Sequence, residues 1–217
     1  MPISPKEASS RNREICALAP IIPVLVVKDA IHARPLAEAL VAGGLPALEV
    51  TLRTPAALDA IQAMADVPGG VVGAGTLVTP ADVTAAVAAG ARFGVSPGAT
   101  DALVAACEAE GLPLLAGAAT ASEAMRMLEK GYDTLKFFPA EAAGGAPALK
   151  AIGAPLPQIK FCPTGGVSPA NAADYLSLPN VLCAGGSWVA AADKVAAGDW
   201  AGIEALARAA SGLESAA

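Results

Sequence analysis

A chain of 217 residues can bury one large core or two small ones. Hydrophobic residues make up 54% and charged residues 16%, which excludes a disordered chain. The formal net charge of −6, with no Lys/Arg cluster, argues against a nucleic-acid surface but still allows a local cationic pocket for small anions.

Met1 to Ser10 lacks an apolar h-region, so no secretory signal is expected. The longest apolar runs are strand-sized, and a soluble, cytoplasmic chain without membrane contact is expected. The cysteines, Cys16, Cys107, Cys162 and Cys183, are scattered and form no C-x-x-C. They predict buried reduced thiols rather than a metal site or a redox pair. The one histidine, His32, cannot build a multi-histidine metal site, and its place before a helix suggests a surface or capping role.

Residues 4–19 predict an amphipathic helix ahead of the main fold. After it one pattern recurs: an apolar run, a Gly, Pro, Ser or Thr, then an alanine-rich stretch ending near glycine. The predicted strands are Ile21–Val27, Ala47–Leu52, Val71–Leu77, Arg92–Pro97, Leu112–Ala118, Thr134–Phe138, Ile159–Thr164 and Val181–Gly185. Between them lie predicted helices at Ala30–Ala42, Pro55–Ala65, Pro80–Ala89, Thr100–Glu110, Ala121–Lys130, Pro147–Ile152, Pro169–Leu176 and Trp188–Ala197, and Asp199–Ala210 adds a terminal helix. Thr54-Pro55, Thr79-Pro80 and Ser168-Pro169 each place a capping hydroxyl before a first-turn proline. Gly43, Gly90, Gly111 and Gly131 stand where helices should stop.

Repeated βα units without an internal linker predict one α/β domain over 1–217, a (β/α)₈ TIM barrel with an extra N-terminal helix. An open doubly wound sheet is the alternative, but no G-x-G-x-x-G follows the first strand.

In such a barrel, chemistry belongs at the C-terminal strand ends. The second strand alternates, with Leu48, Val50 and Leu52 toward the helices and Glu49, Thr51 and Arg53 toward the interior. Interior charge is costly unless it has work to do; the plainer alternative is an ion pair closing the barrel floor. Arg53, nearer the strand end, suits a substrate carboxylate. Thr76, after Gly73-Ala74-Gly75, offers a hydroxyl at the mouth. Gly165-Gly166 and Gly185-Gly186-Ser187 end the last two strands, where this fold often binds phosphate through backbone N–H groups. Lys136 interrupts the apolar run Thr134-Leu135-Lys136-Phe137-Phe138. Scarce water disfavours the ammonium form, and a neutral amine attacks ketones to give a Schiff base. The alternative is a lysine that snorkels from the strand end. Lys160, at the start of its strand, is the weaker nucleophile.

At these residues the chain resembles the 2-keto-3-deoxy-6-phosphogluconate (KDPG) aldolases, which overlap with the 4-hydroxy-2-oxoglutarate aldolases. The likeness runs from about Pro20 to the end. It is carried by Leu48-Glu49-Val50-Thr51-Leu52-Arg53, Gly73-Ala74-Gly75-Thr76, Ser96-Pro97-Gly98, Lys136-Phe137-Phe138-Pro139-Ala140-Glu141, Phe161-Cys162-Pro163-Thr164-Gly165-Gly166 and Gly185-Gly186-Ser187-Trp188.

The resemblance implies a class I aldolase of carbohydrate metabolism, without metal or other cofactor. It would reversibly cleave KDPG to pyruvate and D-glyceraldehyde 3-phosphate, and 4-hydroxy-2-oxoglutarate to pyruvate and glyoxylate. Carried over, Lys136 is the Schiff-base lysine and Glu49 the general acid/base, working through a water. Arg53 and Thr76 contact the pyruvate carboxylate, Phe138 walls the site, and Thr164 contacts substrate. Gly165, Gly166, Gly186 and Ser187 bind phosphate, and the assembly is a homotrimer. Ala116-Gly117-Ala118-Ala119 stands where relatives often carry Pro-Gly, which bears on the pocket wall and on aldehyde specificity. The galactonate epimer is an alternative substrate. A sugar-phosphate epimerase or isomerase, or a non-catalytic phosphometabolite sensor, is the alternative function.

Overall fold

The computed structural model describes residues 1–214, so the last three residues of the expected domain, 215–217, lie outside the described ones. Each predicted apolar run overlaps a strand. These are β1 (Ile21–Leu25), β2 (Ala47–Thr51), β3 (Val71–Gly75), β4 (Gly94–Val95), β5 (Leu114–Ala118), β6 (Thr134–Phe137), β7 (Lys160–Pro163) and β8 (Ala184–Gly186). All pair in parallel, in the order β7-β6-β5-β4-β3-β2-β1-β8. Parallel bridges from Phe161 to Val181 and from Thr164 to Gly185 join β7 to β8 and close the barrel.

Helices α2 (Ala33–Ala42), α3 (Ala57–Ala65), α4 (Pro80–Ala88), α5 (Asp101–Glu110), α6 (Ala121–Lys130), α7 (Gly145–Gly153), α8 (Ala172–Leu176) and α9 (Ala192–Ala197) follow strands β1 to β8 in turn. Helix α10 (Trp200–Ser211) ends the described fold. The expected (β/α)₈ architecture is therefore present. No helix among the described residues is long and apolar enough to cross a membrane.

Strand alternation divides the core in two. A large cluster, including Leu48, Val50, Leu114, Leu135 and Phe137, packs between sheet and helices. A smaller one, with Ile22, Ala47, Phe93, Val95, Leu115, Cys162 and Cys183, fills the lower lumen. The N-terminal helix α1 (Pro5–Cys16) caps that end. Ala8, Ser9, Asn12 and Cys16 are its buried face, and Cys16 joins the lumen cluster. Arg13 pairs with Asp133 and donates from Nε to the Thr134 hydroxyl at 3.2 Å, while the Asp133 N–H donates to the Ser9 hydroxyl at 3.1 Å. The floor is sealed, so the lumen opens at the C-terminal strand ends.

Several boundaries move for identifiable reasons. Strand β4 shrinks to two residues of the predicted Arg92–Pro97 run. Thr79 caps α4 as expected, in a reciprocal capping box with Asp82. Thr54 instead turns its hydroxyl to donate to the Val27 carbonyl at 2.5 Å, and α3 starts at Ala57. Ser168 does not cap either: its N–H donates to Asn171 Oδ1 at 2.8 Å, which delays α8 to Ala172. The predicted helix over Trp188–Ala197 divides into a 3₁₀ turn, Trp188–Ala190, and α9. After α2 the left-handed residue is Gly44 (φ +92°), not Gly43.

Helix α6 carries a second capping box, Thr120 with Glu123. The Ala119 N–H first, helped by Thr120, holds the Glu123 carboxyl below its ordinary range. A carboxyl lowered by folding stabilises the native state above the ordinary carboxylate range and loses that contribution as pH falls through its folded value. Thr120→Ala is expected to cost about 1 kcal/mol and to lower Tm by roughly 2–4 °C in a chain of this size. In thermal melts, the Tm difference between wild type and Glu123→Gln should shrink as the solution is acidified; a constant difference counts against the cap.

Candidate active site

Backbone alternation on β2 turns Leu48 and Val50 outward and Glu49 inward. The same alternation on β6 turns Leu135 and Phe137 outward and leaves Lys136 in the lumen. The two charged side chains meet there. Lys136 Nζ donates to Glu49 Oε1 at 3.2 Å, with Glu49 3% and Lys136 4% exposed. Each supplies the countercharge that the other needs at this depth. The Phe138 ring stands beside the amine, its centroid 5.3 Å from Nζ. Glu49 therefore pairs with Lys136 and not with Arg53, contrary to an Arg-closed floor.

Small residues make room around the pair. A Cβ on Gly75 would stand 2.3 Å from Glu49 Oε1 and 2.7 Å from its Cγ. A Cβ on Gly185 would stand 2.3 Å from the Thr164 hydroxyl oxygen. Gly117 is the register partner of Lys136, and its missing side chain admits the Pro97 carbonyl, 2.3 Å from where a Cβ would lie. Side chains in these places would fill the lumen at the level of the amine.

Above the pair, Arg53 lies exposed at the mouth and donates from Nε to the Thr76 hydroxyl at 3.1 Å. Thr76 is the one non-glycine residue with positive φ (+62°) among those described. For a β-branched residue that conformation costs of order 1–3 kcal/mol, a strain often found where a side chain must be aimed. Thr164 is buried at the end of β7, its hydroxyl 3.9 Å from Cys162 Sγ. Gly165 and Gly166 follow it with φ +100° and +82°, and a Cβ on Gly165 would touch the Phe138 ring at 3.3 Å. Gly186 and Ser187 end the neighbouring β8, so both glycine turns share the open end with Lys136 and Arg53.

Other candidates fall outside this constellation. Lys160 Nζ donates to the Pro179 carbonyl at 2.7 Å, at the N-terminal end of β7. His32 makes no side-chain capping bond; its half-buried ring lies 5.8 Å from that of Trp200. Ala116 and Ala118 pack outward with the large core, while Gly117 borders the lumen beside Lys136.

Spacing did not foretell the meeting of three cysteines. Cys16, Cys162 and Cys183 are reduced, buried and grouped at the lumen floor, where Cys162 is the register partner of Lys136. Thiol donation from Cys16 and then Cys183, with help from the Lys136 charge, holds Cys162 below the ordinary thiol range. Among the described residues, no group of three or more His, Cys, Asp or Glu is placed to hold a metal ion. Asn171 was also missed. Its amide accepts from the Ser168 N–H and donates to the Gly166 carbonyl at 3.1 Å. A polar residue three positions beyond Ser168 was the available signal.

Known proteins are similar to this chain over most of its length. A 2-dehydro-3-deoxy-phosphogluconate aldolase of Pseudoalteromonas atlantica is 54% identical over 198 residues, covering 91% of this chain and 92% of its own. The KHG/KDPG aldolase of Escherichia coli strain K12 is 52% identical over 204 residues, covering 94% and 96%. The crystal structure of the Zymomonas mobilis ZM4 2-keto-3-deoxy-6-phosphogluconate aldolase with 3-phosphoglycerate superposes with a TM-score of 0.90 at 50% identity, covering 95% of this chain and 98% of that one. The KDPG aldolase from Legionella pneumophila, with pyruvate captured as a covalent carbinolamine intermediate, gives 0.89 at 48% identity, with coverage of 92% and 97%. The family model for KDPG and KHG aldolase matches residues 13–206. With that match over most of its length, the chain belongs to the KDPG and KHG aldolase family.

Proposed function

We propose that this chain is a class I aldolase that reversibly cleaves KDPG to pyruvate and D-glyceraldehyde 3-phosphate. The observation that carries the reading is a lysine amine inside the barrel, 3.2 Å from a carboxylate and open only toward the strand ends. Relatives of about half identity bear this enzyme's name, and one holds pyruvate as a carbinolamine.

The neutral Lys136 amine adds to the substrate ketone to give a carbinolamine. Glu49 delivers a proton, directly or through water, to the departing hydroxyl, and water leaves as the iminium forms. The iminium is the electron sink. Glu49 then takes the proton of the C4 hydroxyl, the C3–C4 electron pair moves toward nitrogen, and the aldehyde departs. The remaining enamine is protonated, and water releases pyruvate and the free amine. Arg53, with Thr76, holds the substrate carboxylate by a charge-assisted bond. Phe138 walls off one side, Thr164 contacts the substrate chain, and the backbone of Gly165, Gly166, Gly186 and Ser187 receives the phosphate.

A second substrate, 4-hydroxy-2-oxoglutarate, fits the same pair because its cleavage also yields pyruvate. The doubly named E. coli relative favours including it. The galactonate epimer has no comparable support, and an epimerase or isomerase has no use for an amine nucleophile. Cytoplasmic location and a homotrimer complete the proposal. Apolar side chains left exposed beyond β1, β2 and β3, Val26, Ile31, Leu58 and Val78, suit burial between subunits.

Borohydride reduction with pyruvate should leave one adduct, on Lys136 by peptide mass spectrometry, and none on Lys136→Ala. Wild-type turnover by that variant would end the Schiff-base assignment. Glu49→Gln is expected to keep the adduct but to lose about 10²-fold or more in kcat. Gly75→Ala, by displacing the Glu49 carboxylate, should lose about as much with an intact fold; unchanged kcat would mean that the carboxylate position is not critical. Light scattering should return three times the 21.2 kDa chain mass, and a 21.2 kDa species would exclude the trimer.

A further inference from the structure

The two glycine carbonyls after β7 are tied down from behind. The Glu141 N–H donates to the Gly165 carbonyl at 3.0 Å, and Asn171 Nδ2 donates to the Gly166 carbonyl at 3.1 Å. Asn171 is itself held, because Oδ1 accepts from the Ser168 N–H at 2.8 Å and its hydroxyl at 3.3 Å. Among the described residues, by contrast, no backbone carbonyl outside the strand pairings accepts from the N–H groups of Gly166 or Val167. Successive N–H groups released at positive φ form an anion-binding concavity, provided that the peptide planes stay turned that way.

Packing alone does not keep them so. A cleft of 730 Å³ lies behind the turn, bordered by Glu141, Lys150, Asn171, Asp174 and Tyr175. One side of the turn rests on the Glu141 stem, which a Cβ on Gly166 would meet at 2.5 Å, and Glu141 is held by the Tyr175 hydroxyl. The other side hangs on the Asn171 amide. If that donor is lost, the Gly166 peptide can rotate its carbonyl toward the mouth, where it would oppose an anion.

We propose that Asn171 is a positioning residue that sets the preference of this enzyme for phosphorylated over unphosphorylated 2-keto acids. It acts by orienting the Gly165–Gly166 peptides, without touching substrate. The inference rests on the aldolase reading and on its phosphate site at that turn. Pyruvate chemistry at Lys136 is independent of it, so the effect belongs in KM for the phosphorylated substrate.

The test compares KDPG with its unphosphorylated counterpart, 2-keto-3-deoxygluconate, on the full chain. Asn171→Ala is expected to raise KM for KDPG about tenfold, with kcat within about twofold, and to leave kcat/KM for the unphosphorylated acid unchanged. Inhibition by inorganic phosphate should weaken by the same factor. Tyr175→Phe, which frees Glu141, should shift KM in the same direction and carries the test if Asn171→Ala fails to fold. If the wild type favours KDPG and the variant keeps the full preference, or loses rate equally on both substrates, the positioning role is overturned. A wild type indifferent to the phosphate overturns the phosphate site itself, and this inference with it.

Discussion

Two opposite charges 3.2 Å apart inside an apolar barrel are the constraint to which the other features answer. Such a pair is weak as a stabiliser, since desolvation of both ions offsets most of their attraction. Removing one partner, however, strands the other and costs roughly 3–5 kcal/mol. The fold therefore has to supply both charges, at one depth, from strands on different sides of the lumen. Parallel registry does this without adjustable loops. Glu49 pairs with Gly73 of β3 and Lys136 with Cys162 of β7, which fixes each side chain relative to the sheet.

Room for the pair comes from side chains that are missing. Gly75, Gly117 and Gly185 clear the level of the amine, while Phe93, Leu115 and Ile22 fill the lumen below it. The barrel thus has a packed lower half and an open upper half. Helix α1 reinforces the division by covering the floor with Asn12 and Cys16, so water and substrate share one entrance. That arrangement places the reaction where the strand ends can contribute polar groups, and leaves stability to the other end.

Much of this was legible in the sequence, for local reasons. Most strand runs stop close to Gly, Pro or Thr, period-two alternation assigned Glu49 to the lumen, and Lys136 stood out as the one charge in an apolar run. What the sequence withheld depended on competition between partners. Thr54 and Ser168 read as caps, yet their polar groups bond to Val27 and Asn171 instead. Glu49 has two cationic candidates in sequence, Arg53 and Lys136, and only closure of the barrel brings β6 across to it. Cys16, Cys162 and Cys183 lie far apart along the chain and meet because the floor is small. Asn171 falls inside the predicted Pro169–Leu176 helix, and its spacing from Ser168 does not reveal that its amide also reaches the Gly166 backbone carbonyl.

The same pair also explains how one site can serve opposite proton demands. An ammonium beside a carboxylate is unreactive toward a ketone, because the amine lacks its lone pair and the acid lacks its proton. In the proposed mechanism, transfer of one proton across the 3.2 Å contact changes both at once, leaving a nucleophilic amine and a carboxylic acid able to protonate the leaving hydroxyl. In that mechanism the carboxylate is again unprotonated once the iminium has formed and faces a cation, the state needed to accept the C4 hydroxyl proton. On this reading the proton never has to come from bulk solvent during cleavage, which is why a lumen closed at the floor suits the chemistry. Binding groups can then stand apart from it. In the proposed reading Arg53 and Thr76 take one end of the substrate and the glycine turns the other, so specificity could change at the mouth without disturbing the proton exchange below.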